Sequence, residues 1–173
     1  GFDDLRAFYF RNRQPVTAYL ASVFAEEMRQ RFPYAFRKTS YQGTPPQIEL
    51  REIEEGIVDG LAPEVDMKMV PHGNAISSAF RWGTFLYLTD FKNLPPETID
   101  GWKGRVDTMV ASGNNYDVAH PTHSSIGETL ALAQELGAKR LIIGHLSHDV
   151  DYTAPAISLP DWAELAVDGM TID

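Results

Sequence analysis

The chain has 173 residues, 43% of them hydrophobic, with a formal net charge of -9 and no cysteine. That length and apolar content suffice for one buried core and predict a single domain over residues 1–173, while the lack of cysteine excludes disulfides, a thiol nucleophile and any cysteine metal site. The acidic balance excludes binding of long nucleic acid through a broad basic surface, but a nucleotide-sized substrate stays open because a bound cation supplies positive charge locally.

In chain order, residues Phe2 to Phe8 predict a short helix and Val16 to Leu20, after Pro15, a short strand. Ser22 is placed to cap a helix running to Phe32, with Glu26 and Glu27 early, Arg29 and Arg31 late, and Pro33 as its stop. Residues 34–46 are polar and turn-rich and predict a surface loop. Gln47 to Ile53, Glu64 to Val70, Ser77 to Arg81 and Thr84 to Leu88 alternate as strands, the last two joined by a tight turn at Trp82-Gly83. Pro95-Pro96 opens a short helix through Trp102, and Val106 to Val110 is a buried strand. Ser124 to Leu136 predicts a helix closed by Gly137, Lys139 to Ile143 a covered strand, and Ala163 to Val167 a last strand turning at Asp168-Gly169. Hairpins followed by strand-helix alternation indicate a mixed sheet with helices packed on it, fold class α/β (α+β). No run along these elements is long and apolar enough to span a membrane, and the acidic start lacks the pattern of a signal peptide. A cytoplasmic protein is therefore expected, with no membrane partner.

All five histidines follow Pro71 and fall in three motifs, Pro71-His72-Gly73, His120-Pro-Thr-His123 and His145-Leu-Ser-His148-Asp149, with Thr89-Asp90 between the first two. His72, Asp90 and His145 each close an apolar run, where side chains from separate strands converge. Imidazole and carboxylate are donors that zinc, iron and manganese accept. Each residue also has a plainer reading: His72 before glycine as a turn residue, Asp90 as a strand-end cap, His148 and Asp149 as a loop cluster. The last two equally suit groups that orient a ligand or contact substrate. His120 and His123 precede a helix whose N-cap is Ser124 or Ser125, and its positive end suits a phosphate or a histidine giving a proton to a leaving oxygen. One of that pair serves as a capping or packing residue in the plainer reading, His120 sooner than His123. Trp82, Trp102 and Trp162 read as core or packing aromatics, and Arg6, Arg11, Arg13 and Arg81 either as cations that meet an anionic substrate or as exposed arginines with no specific role.

Taken as an ordered set, Gly1-Phe-Asp-Asp-Leu-Arg6, Pro71-His-Gly73, Tyr87-Leu-Thr-Asp90, His120-Pro-Thr-His123, Gly144-His-Leu-Ser-His-Asp149 and Glu164-Leu-Ala-Val-Asp-Gly169 resemble the metallo-β-lactamase-fold hydrolases. Within them they resemble the branch containing phosphoribosyl 1,2-cyclic phosphate phosphodiesterase. The resemblance implies an αβ/βα sandwich with two divalent metal ions, zinc or manganese, at the edge of its sheets. It implies His72 as a ligand of one metal, Asp90 as the bridging carboxylate, His145 as a ligand of the other and His123, with His120 as fallback, at the substrate phosphate and leaving oxygen. The expected function is hydrolysis of a small cyclic or nucleotide-like phosphodiester by a metal-activated water.

The family's principal motif, His-x-His-x-Asp-His, precedes the segment matching Gly1 to Arg6 and is not among these residues. Ala111 to Tyr116 also departs from the relatives' more charged pattern. The chain is thus expected to be the C-terminal, N-terminally incomplete portion of the fold, with weak metal binding and little activity by itself. Alternatives are a non-catalytic fragment or an assembly partner completed by another chain, and a same-fold hydrolase of RNA ends or a thioester; a homodimer is a further expectation.

Overall fold

The computed structural model describes residues 2–36, 43, 45–151, 153 and 158–172. Their contacts divide the chain into a first unit, Gly1–Glu54, and a second, Glu55–Asp173.

In the first unit a 3-10 turn, Phe2–Asp4, runs into α1 (Leu5–Asn12), which ends where Arg13 takes φ 56° and its N–H reaches Tyr9 O at 2.7 Å. Strand β1 (Val16–Ala21) lies parallel to β2 (Ile48–Ile53), with Val16 opposite Ile48. Between them come α2 (Ala25–Arg31) and the single turn α3 (Pro33–Phe36). Two local expectations need correction. Ser22 does not cap α2; it opens a 3-10 turn, Ser22–Phe24, and its carbonyl accepts the Ala25 N–H. Pro33 ends α2 but also starts α3, because the first position of a helix leaves its N–H unpaired and proline loses nothing there. Most of the predicted surface loop, residues 37–42 and 44, lies outside the described residues.

The second unit is a seven-stranded mixed sheet whose spatial order equals its chain order: β3 (Gly56–Val58), β4 (Val65–His72), β5 (Ala75–Trp82), β6 (Phe85–Leu88), β7 (Thr108–Ser112), β8 (Arg140–Gly144) and β9 (Ala163–Leu165). The first four strands pair antiparallel and the last four parallel. The short connections dictate this: two residues join β4 to β5 and β5 to β6, whereas β6 to β7 and β7 to β8 carry α4 (Pro96–Trp102) and α5 (Ile126–Leu136). Ser125 caps α5 in a capping box with Glu128, and Gly137 closes it at φ 78°. The core lies between α4, α5 and one sheet face, where Trp102, Leu86, Leu88, Met109, Leu136 and Leu141 are fully buried.

The tryptophans pack as read: Trp102 is core, and Trp82, 36% exposed, stacks its ring 5.5 Å from Phe80. One arginine reading changes. Arg81 is buried and held by Glu64 at 2.8 Å and Asp66 at 3.6 Å, so it is not available to a substrate.

Candidate metal centre

Strand direction gathers the site. β6, β7 and β8 are parallel; β5 opposes β6 and β4 opposes β5, so β4 runs with the other three. Residues at the C-terminal ends of β4, β6, β7 and β8 therefore share one sheet edge, where α/β proteins place their ligands. His72 ends β4, Asp90 stands two residues beyond β6, and His145 directly follows β8. His120 and His123 arrive on the segment between β7 and α5.

Asp90 and His145 both take left-handed backbone, at φ 52° and φ 53°. Non-glycine residues enter that region at a cost of about 1–2 kcal/mol, and two such residues meeting at one point indicate a placement imposed by the surrounding structure. They do meet: His145 Nε2 is 3.3 Å from Asp90 Oδ1, and His123 Nδ1 is 3.9 Å from the same oxygen. The His123 ring is the hub, 4.7 Å from the His72 ring, 5.0 Å from that of His120 and 5.0 Å from that of His145.

Loop-to-loop hydrogen bonds hold this edge together. Lys92 N–H reaches Pro71 O at 2.7 Å, Ser124 N–H reaches Phe91 O at 3.1 Å, Gly113 N–H reaches Gly144 O at 3.0 Å and Ser147 N–H reaches Asn114 O at 2.7 Å. Each bond ties the segment after one strand to the end of another strand or to the segment that follows it. Gly113 permits the approach of α5, since a Cβ there would stand 2.5 Å from Ile143 Cγ2 and 3.0 Å from Ile126 Cγ1.

The donor set suits a divalent cation. His72, Asp90 and His123 each offer a ligand atom, all within 4.8 Å of one another. His72 Nδ1 bonds Thr122 O at 2.9 Å; a carbonyl only accepts, so Nδ1 carries the proton and Nε2 keeps the lone pair for a metal. His123 Nδ1 is buried without a hydrogen-bond partner, an arrangement that a cation or a substrate oxygen satisfies. Burial first, and then the neighbouring His145, His72 and His120, push the His123 imidazole below its ordinary value, against the smaller opposing pull of Asp90. It is held neutral, the form that coordinates a metal.

The geometry thus brings His123 to the predicted ligands His72 and Asp90, within 4.8 Å, while His145 stands 3.3 Å from Asp90. His148 and Asp149 stand away in solvent, 93% and 70% exposed, paired with each other at 3.4 Å. Asp168 was not singled out in the sequence beyond its turn. It lines a cleft of about 600 Å³ beside His145, together with Gly144, Leu146, Ala166 and Val167. Thr122 was also missed, and its signal was available: Gly73 and the Pro121-Thr122 bend are both turn sequences, and they pack on each other.

Residues 1–146 match the profile of the β-lactamase superfamily domain. A diphosphatase of the PhnP family is 26% identical and superposes with a TM-score of 0.81, over 98% of this chain and 63% of that one. The human tRNase Z, short form, shares the fold at 16% identity and TM-score 0.65, over 98% of this chain and 71% of its own. The metallo-β-lactamase fold protein YhfI of Bacillus subtilis does so at 15% and 0.64, over 96% of this chain and 70% of its own. An octanoyltransferase of Porphyromonas gingivalis (strain ATCC BAA-308 / W83) is 28% identical over 149 residues, which are 86% of this chain. The chain spans only 30% of that curated relative's length.

Proposed function

The chain belongs to the β-lactamase superfamily, whose members with this fold are hydrolases, and from that membership we propose a metal-dependent phosphodiesterase acting on a small cyclic or nucleotide-like phosphodiester. The observation that carries the reading is His123 Nδ1, buried and unpartnered, beside Asp90 and three further imidazoles at the edge of the sheet. The diphosphatase similarity supports phosphorus chemistry at such an edge, and the acidic surface favours a small substrate over long RNA.

His72, Asp90 and His145 would hold the metal, with Asp90 as the carboxylate that two ions would share. A divalent cation held there would supply Lewis acidity to a phosphoryl oxygen and would lower the pKa of a water enough for it to act as nucleophile near neutral pH. His72 is already oriented for this by Thr122 O, which fixes its proton on Nδ1. His123 sits deeper, 17% exposed against 42% for Asp90 and His145, and faces the same point. An anionic phosphodiester beside it raises its proton affinity, so the imidazole takes up a proton on binding and returns it to the leaving oxygen. The remainder of the substrate fits the cleft next to His145, whose one carboxylate among the described lining residues, Asp168, accepts a hydroxyl and repels a further phosphate. The His72, Asp90 and His123 grouping favours a second assignment, with His123 as a ligand.

The donors described here, shared between two metal positions, leave each one short of a full set, so the 173 residues by themselves bind metal weakly. The test therefore uses the full gene product: metal analysis and turnover of bis(p-nitrophenyl) phosphate with zinc or manganese, for the unaltered protein and His145→Ala. Metal-dependent turnover that falls by about 100-fold or more in the variant is expected. Unchanged metal content and turnover in His145→Ala would refute the ligand set.

A further inference from the structure

Beside the groups that face the reaction centre, one imidazole is engaged with its own backbone. His120 Nδ1 lies 3.3 Å from Thr122 N, 3.2 Å from His123 N and 3.1 Å from Thr122 Oγ1. Backbone N–H groups only donate, so His120 Nδ1 is an acceptor and the proton of its neutral ring sits on Nε2. This is the tautomer opposite to that of His72. The arrangement works as an asparagine or aspartate works at a helix start, one side-chain acceptor closing a short turn over two backbone donors.

The turn so fixed has two outputs. Thr122, held at its N–H and its hydroxyl, presents its carbonyl to His72 Nδ1 at 2.9 Å. Its methyl fills the space above Gly73, where a Cβ would come within 2.4 Å of Thr122 Cγ2. His123, held at its N–H, places its ring between those of His72 and His145. We propose that His120 is a positioning residue: through the turn over Thr122 and His123 its Nδ1 sets the tautomer of His72 and the location of the His123 ring. The catalytic meaning of this rests on the hydrolase reading above; the tautomers themselves do not.

A histidine present only for bulk would be replaced equally well by Phe. One present as an acceptor would be replaced better by Asn, whose amide oxygen leaves Cγ as Nδ1 does. Long-range 1H–15N correlation spectra of the imidazoles, recorded without metal on the unaltered protein, His120→Asn and His120→Phe, separate these cases. In the unaltered protein His120 is expected as the Nε2–H form and His72 as the Nδ1–H form. His120→Asn keeps the His72 form, and His120→Phe mixes it. Zinc affinity then falls by about 10- to 100-fold in His120→Phe and stays near the original in His120→Asn.

A folded His120→Phe protein that keeps the His72 Nδ1–H form and the original zinc affinity overturns the proposal. So does an Nδ1–H form of His120 in the unaltered protein, a result that needs no variant to fold. Correct tautomers in a full gene product that hydrolyses no phosphodiester would sink the hydrolase reading and leave this one standing.

Discussion

At the scale of single residues, the centre is shaped by which atoms of a side chain are already engaged. His123 gives a direct consequence in pH. Its imidazole is held below the ordinary value of 6.5, so the folded chain resists a proton that the unfolded chain accepts. The stability linked to His123 is fully present above that value and is lost as pH falls from it through the lowered one. Glu128 is likewise lowered, first by the Lys92 ammonium, but its loss begins only below its ordinary 4.5. Between 6.5 and 4.5 the thermal midpoint of the metal-free protein should therefore decline more steeply for the unaltered chain than for His123→Asn. Parallel profiles would remove the argument that His123 is held neutral. Gly73 supplies a second case. It takes φ 65°, and an added methyl meets Thr122 Cγ2. Gly73→Ala should cost about 1–2 kcal/mol from the backbone alone in urea unfolding, and the displaced Thr122 should also weaken metal binding. His72, Asp90 and His145 were readable in sequence because each ends an apolar run. The left-handed backbone at Asp90 and His145 was not, because sequence pattern alone does not say which residue at a strand end will turn, even though Asp and His enter that region more readily than most. The sequence ranked His120 as the capping member of its pair, and its Nδ1 does accept backbone N–H groups; which nitrogen does so was not readable there.

At the scale of elements, legibility followed local physics. α5 was readable at both ends, because Ser125, Glu128 and Gly137 satisfy its terminal backbone groups within the sequence itself. β4 to β8 were readable from their apolar runs. β3 was missed: three residues at a sheet edge are too few to show alternation, and its partner is β4, not its own periodicity. Ser22 misled because a cap signal does not say whether the following turn is 3-10 or α. The far end of β4 and β5 shows a device that pattern reading also missed. Asp66 opposes Arg81 across the strands, and its Oδ2 accepts the Trp102 Nε1–H at 2.8 Å, joining the sheet to α4. Asp66→Ala leaves a buried guanidinium with Glu64 as its remaining carboxylate and an indole N–H with none. A loss of about 3 kcal/mol is expected in urea unfolding. A loss under about 1 kcal/mol would show that Glu64 alone holds Arg81 and that water reaches Trp102.

At the scale of the whole molecule, charge separates readings that the fold leaves equal. The tRNase Z similarity shows the fold alone, and the histidines and aspartate at the sheet edge do not by themselves tell RNA ends from small phosphodiesters. The difference lies in what surrounds the edge. Long RNA is held by many phosphate contacts to lysine and arginine, each releasing counterions, and this chain has 15 such residues against 24 acidic ones. Several of the basic residues are already paired: Arg81 with Glu64, Lys92 with Glu128, Lys139 with Asp107 and Arg140 with Glu164. Beside His145 the cleft offers Asp168, which repels a second phosphate. Fluorescence anisotropy of labelled tRNA, titrated with the protein at about 150 mM salt, should therefore show no saturable binding. A small cyclic phosphodiester, with one charge and a body that fits beside His145, carries no such penalty and should protect the full gene product from thermal unfolding when metal is present. Tight tRNA binding that weakens steeply with salt would mean that basic residues gather on a face where they outweigh the net charge, and the small-substrate reading would fall with it.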